Sequence, residues 1–117
     1  MDLLIVGAGG FARETAEAVH AVNAVRRTWR LRGFLDDNPA LHGAMVGGLP
    51  VLGSSELVHE HPDAAVLICT ARPDNYVSRR RIAARLDLAE ERYATIIHPT
   101  ATVGRTCSVG HGSVLLA

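Results

Sequence analysis

Near the start of the chain, the stretch LLIVGAGGFARE (residues 3–14) carries a spacing that can grip a phosphate. Gly7, Gly9 and Ala12 follow an aliphatic run and open a helical pattern. Gly7 permits a tight turn off a strand, Gly9 lets a phosphate approach the backbone, and Ala12 lets the helix pack close. Gly10 loosens the loop further, and the helix start offers unpaired N–H donors with a favourable dipole. The alternative is a tight strand-to-helix turn that holds no ligand. Asp36 and Asp37 form the second candidate pair. A carboxylate at the end of the second strand accepts hydrogen bonds from ribose hydroxyls or from the N–H of a base. Asp-Asp-Asn-Pro is equally ordinary turn chemistry. Arg79 is the third candidate, open between a phosphate contact and a structural salt bridge.

These residues need elements to hold them. Leu3 to Val6 is a continuous apolar run that suits a central parallel strand buried on both faces. From Phe11 to about Val22 the period changes to that of a helix. Ala12, Ala16, Val19 and Val22 share one face, with Arg13, Glu14, Glu17 and His20 on the other. A second strand is expected over Arg30 to Leu35, stopped before Asn38-Pro39. Leu49 to Leu52 reads as a short edge strand, and Ser54 or Ser55 as the cap of a short helix through His59. Residues 64–70 are a third buried strand, Asp74 caps a helix to about Leu88, and Tyr93 to Ile97 is a further strand. On that helix Arg79 shares the packed face with Asn75, Ile82 and Leu86, while Arg80, Arg81 and Arg85 point outward. Strands alternating with helices imply a parallel sheet covered on both faces.

The tail keeps a different period. Ile97, Val103, Val109 and Leu115 recur every six residues, with small residues at Ala101, Cys107 and Ser113 and glycines at 104 and 110. That spacing fits a parallel β-helix with short sides. The expected class is therefore α/β: a small Rossmann-like parallel sheet with flanking helices over 1–95, then the first coil of a β-helix over 96–117. Three hexads make about one coil, so the sequence reads as ending inside its second domain.

Composition narrows the function. Twelve acidic residues balance twelve basic ones and aromatics are few, which gives no support for nucleic-acid or charge-driven membrane binding. There is no 18-residue apolar run, and the chain begins directly on a strand pattern, so a soluble cytoplasmic protein is expected. Cys69 and Cys107 are read as reduced thiols. His59 and His61 do not share a helical face, and with His98 and His111 they form no ligand set, so no metal is expected.

Taken with "GFLDDNPALHG" (33–43), "GGLPVLGSSELV" (47–58) and "IIHPTATVG" (96–104), the glycine stretch gives the whole chain a resemblance to a known family. It resembles the sugar O- or N-acyltransferases of the sialic-acid O-acetyltransferase and bacillosamine-pathway acetyltransferase type. That resemblance implies a Rossmann-like domain ahead of a left-handed hexapeptide-repeat β-helix. It further implies that Gly7, Gly9 and Gly10 line a phosphate loop, that Asp36 and Asp37 hold the uridine end of a UDP-sugar, and that Arg79 matches an arginine in the corresponding helix. In such enzymes the β-helix forms a homotrimer, binds acetyl-CoA between subunits and supplies a histidine general base. Here that histidine is expected beyond Ala117, so no catalytic residue is assigned within the chain and this piece is expected to bind without turnover. Some relatives that bind UDP-amino sugars carry histidine where this chain has Phe11. Two competing classes are an NAD(P)-binding oxidoreductase domain, with Asp36 on the adenosine ribose, and a non-catalytic nucleotide-sensing module. Too few strands for two mononucleotide halves, and the hexad tail, weigh against the former.

Overall fold

A computed structural model of the chain describes residues 1–69, 76–97, 106–109 and 112–115. In order along the chain come β1 (Asp2–Val6), α1 (Gly10–Val25), β2 (Arg30–Leu35), β3 (Met45–Val46), β4 (Leu49–Gly53), β5 (Ala65–Ile68), α2 (Tyr76–Leu86), β6 (Thr95–Ile97), β7 (Thr106–Val109) and β8 (Gly112–Leu115). The main sheet has the order β3-β4-β2-β1-β5. β1, β2, β4 and β5 are parallel, and only β3 runs antiparallel, against β4.

The aliphatic run of β1 is central because both of its faces are buried. Leu3 and Ile5 pack with Ala12, Ala16 and Val19 of α1 and with Phe34 and Val51. Leu4 and Val6 pack on the other face with Leu35, Val58, Ile68 and Leu86 of α2. Strand alternation thus builds two cores from one strand, one under each helix. The expected α1 face is the buried one, joined by Ala18 and by Thr15, whose hydroxyl accepts from the Cys69 thiol at 3.5 Å. Cys69 is buried and unpaired by disulfide, whereas the Cys107 side chain lies outside the described residues. Asn23 ties the end of α1 to β2: its Nδ2 donates to the Trp29 carbonyl at 2.8 Å, and its Oδ1 accepts from the Thr28 and Trp29 amides.

Several expectations change. Leu49 to Leu52 belongs to β4, which lies inside the sheet, because the chain doubles back through β3 to cover its outer side. The segment after β4 is a 3-10 helix, Ser55–Glu60, and Ser54 at its N-cap makes no side-chain capping bond. Asp74 falls outside the described residues. Tyr93 forms a single parallel bridge with Val66, and the strand starts only at Thr95. Just before it, Arg92 donates to three carbonyls, Ala64, Val58 and His61, at 2.8, 3.0 and 3.0 Å. The Ala94 amide then donates to the Val66 carbonyl at 3.0 Å.

The hexads do not make a β-helix coil among the described residues. β7 and β8 pair as an antiparallel hairpin, and β8 pairs in parallel with β6. The physical reason is that backbone bonds of a β-helix run between stacked coils. The described hexad residues hold no stacked pair of coils, and β7 bonds instead to the adjacent β8.

Candidate functional site

From β1 the chain moves through β2 to β4 on one side, then crosses to β5 on the other. Neighbouring strands β1 and β5 therefore send their connections in opposite directions. A crevice outside their C-terminal ends is where open α/β sheets bind ligands. The glycine loop sits at this point. Gly7 adopts φ +112°, a conformation that L side chains rarely take, and its amide donates to the Leu35 carbonyl at 2.6 Å. Gly9 caps α1, and the first helical bond runs from the Arg13 amide to the Gly9 carbonyl at 3.1 Å. The amides of Gly10, Phe11 and Ala12 consequently lack an intrahelical acceptor. A Cβ built on Gly9 or Gly10 would meet nothing within 4 Å, so their bareness serves no packing inside the protein and leaves the approach open.

From Gly10 a groove of about 350 Å³ descends along α1. Phe34 and Ala16 lie at its base, Arg13, Glu14 and Glu17 line it, and Gly47 of the β3–β4 turn bounds it. A larger concavity, about 840 Å³, is lined by Met1, His20, Arg27, Trp29 and Arg30 at the opposite end of the strands, and it contains none of the candidate residues.

The two aspartates have different surroundings. Asp36 donates its amide to the Gly53 carbonyl at 2.8 Å, fixing the turn against β4. Its Oδ1 accepts from the Asn38 amide at 2.9 Å, and His42 Nε2 lies 2.7 Å from its carbonyl oxygen. Asp37 is bound on both oxygens. Oδ1 accepts from the Ser55 amide at 2.9 Å and the Ser55 hydroxyl at 2.7 Å, while Oδ2 takes the Arg85 guanidinium at 2.7 Å. Arg85 also donates to the Ser55 hydroxyl and pairs with Glu56 at 3.2 Å. Glu56 in turn lies 3.6 Å from His59. Arg85 is exposed on the outward side that helical geometry implies, but its guanidinium is held there by Asp37 and Glu56 instead of standing free in solvent. A long side chain can reach a carboxylate that sequence spacing does not reveal. Arg79 lies on α2, and its side chain falls outside the described residues.

Partial burial pushes the Asp37 carboxyl up, but the Ser55 amide and hydroxyl and the Arg85 charge outweigh it, leaving Asp37 below its ordinary value. Unfolded, the group titrates near about 3.9. Its stabilisation is therefore complete above that value and is lost as pH falls through the lower folded value. Asp37→Asn is expected to flatten the acid side of the stability profile, read as thermal midpoint against pH. A profile unchanged in shape would contradict the linkage.

Among the described residues no group of three or more His, Cys, Asp or Glu could hold a metal ion, and no helix is long and apolar enough to cross a membrane.

Comparison with known proteins bears on the fold and the glycine loop together. A family model described as the PglD N-terminal domain matches residues 2–86. The UDP-N-acetylbacillosamine N-acetyltransferase of Bacillus subtilis (strain 168) is 31% identical over 121 residues, covering 99% of this chain and 51% of the relative. This chain thus spans about half the length of the curated relative it matches. Among solved structures, perosamine N-acetyltransferase from Caulobacter crescentus, in complex with CoA and GDP-perosamine, aligns with a TM-score of 0.62 at 19% identity, over 87% of this chain and 45% of that one. The acetyltransferase domain of PglB from Neisseria gonorrhoeae FA1090 gives 0.58 at 24% identity, over 86% and 46%. At these identities the structures speak for a shared fold. The sequence match reaches further: it covers β1 through α2, the whole frame of the glycine loop, and the chain belongs to the PglD N-terminal domain family.

Proposed function

We propose that this chain is the nucleotide-sugar-binding part of an acetyl-CoA-dependent sugar acetyltransferase. The observation that carries the reading is the bare glycine loop at the switch point, with the Asp36–Asp37 turn on the same edge of the sheet. In this reading the amides after Gly7, Gly9 and Gly10 receive the diphosphate of a UDP-sugar or a related sugar nucleotide. The Asp36–Asp37 turn receives the nucleoside end, and Arg79 stands in the helix across the crevice. Residues 1–95 act as the binding domain and residues 96–117 begin the hexapeptide-repeat region. The period from Ile97 to Leu115 supports a left-handed β-helix once further coils are present to pair with. Acetyl-CoA, the histidine base that deprotonates the attacking amine or hydroxyl, and the trimer belong to that region. The full protein is cytoplasmic in this reading, and the 117-residue chain binds without turnover.

Calorimetric titration with UDP, UDP-N-acetylglucosamine, GDP, NAD and acetyl-CoA tests it. Binding of a nucleoside diphosphate or its sugar, with silence from NAD and acetyl-CoA, is the expected result. Binding of NAD without UDP or GDP would transfer the loop to a dehydrogenase.

A further inference from the structure

Asp36 and Asp37 are adjacent, and in an extended chain adjacent side chains point to opposite faces. The packing of the strand they follow, together with the bonds of Asp37, points to the face each takes. Phe34 belongs to the core under α1 and Leu35 to the core under α2. Continuing the alternation, Asp36 falls on the α1 side, with the glycine loop. Asp37 falls on the α2 side, where Ser55 and Arg85 bind both of its oxygens. Ser55 is fully buried, so its hydroxyl has been taken out of water to serve this one carboxylate and the guanidinium beside it. Asp36 uses one oxygen to close the turn onto the Asn38 amide, and among the described residues no protein group takes the other.

We propose that the pair divides its labour: Asp36 presents the carboxylate that meets the ligand, and Asp37 is a positioning residue, clamped by Ser55 and Arg85. Each clamp bond fixes the peptide that follows Asp36, and so fixes the direction in which Asp36 presents its second oxygen. The clamp also joins three elements. The end of β2, the turn after β4 and the last turn of α2 meet at one carboxylate, so α2 cannot shift without disturbing the ligand edge. This inference rests on the nucleotide-sugar reading and narrows it to one ligand-facing acid.

Four variants titrated with UDP and GDP, each with its own thermal midpoint and from about pH 7 down to about pH 3, test the division. Asp36→Asn keeps the oxygen that accepts from Asn38 and removes only the charge. It is expected to bind about tenfold more weakly or worse at an unchanged thermal midpoint. Ser55→Ala and Arg85→Gln are expected to lower the midpoint and weaken binding by a smaller factor. Binding by Arg85→Gln also fails at a higher pH than in the parent, because Asp37 then protonates sooner with only Ser55 against its burial. Glu56, with His59 beside it, is the other charge facing Arg85, and it remains in place in this variant. Arg85→Lys restores the charge and with it the acid limit, which a purely steric role would not do. The proposal is overturned if Ser55→Ala and Arg85→Gln bind as the parent does with the same acid limit. It is equally overturned if Asp36→Asn leaves affinity unchanged. Silence of the parent chain toward both nucleotides would instead bring down the nucleotide-sugar reading beneath it, and the two failures are told apart by the parent alone.

Discussion

Phe34→Ala is expected to cost about 4 kcal/mol of folding stability, the largest loss of any single truncation on the α1 side. Phe34 is 1% exposed and is the largest of the fully buried side chains. It is also placed where two demands meet. Its backbone pairs with Ile5 of β1 and Val51 of β4, and its ring packs in the core beneath α1. Truncation leaves a ring-sized void that the surrounding sheet cannot collapse to fill, since strands on both sides are held in register. For a chain of this size the thermal midpoint should fall by roughly 16 °C or more. Because Phe34 lines the groove below Gly10, the variant should also lose nucleotide affinity beyond what unfolding explains. Phe34→Leu, which retains most of the volume, separates the two effects and should cost about 1.5 kcal/mol. A thermal midpoint for Phe34→Ala within a few degrees of the parent would mean that α1 is not anchored on this residue.

Gly33→Ala is the second large expectation, about 3 kcal/mol, for a different reason. Between Leu3 and Leu4 the register of β1 against β2 slips by one residue, so that Leu3 faces Leu31 and Leu4 faces Gly33. The extra residue, Arg32, bulges, and Gly33 takes φ +147°. A Cβ there would stand 2.5 Å from the Pro50 carbonyl oxygen of the neighbouring strand. Neither backbone can yield easily, because Pro50 is itself paired with Met45. Chemical denaturation of the variant measures the loss, and a cost under about 1 kcal/mol would show that β2 and β4 separate more readily than their pairing implies.

What was legible in the sequence follows from how local each signal is. The run Leu3 to Val6, the helical face Ala12, Ala16, Val19, Val22 and the strand Arg30 to Leu35 were all readable, because burial on one or two faces imprints a period on adjacent residues. The family resemblance was readable for the same reason, since its motifs lie in contiguous stretches. The inner position of β4 was not readable, because it depends on a two-residue strand, β3, too short to leave a pattern. The hexads were seen as a period, but a period records spacing and not the partner, and the pairing of β7 with β8 was decided by which strands were available. At the candidate site the glycine loop was legible and the clamp on Asp37 was not. Ser55 and Arg85 lie 18 and 30 to 48 residues from their partners, and no local rule links them. The one signal for Ser55 is its polar side chain in a segment that has to pack, and that signal equally fits a helix cap.

The fastening at Arg92 has a mechanical consequence. Three carbonyls held by one guanidinium, followed by the Ala94 amide on the Val66 carbonyl, make the chain leave the sheet as a strut and not as a tether. In a two-part enzyme of the kind proposed, a tether would leave the captured sugar to find the acetyl donor by diffusion within a volume set by linker length. In that enzyme a strut would replace the search with a more restricted reach, so that part of the orientation needed for acyl transfer would be built in when the nucleotide docks. In that reading Arg92, far in sequence from every glycine of the loop, would be a residue that sets aim.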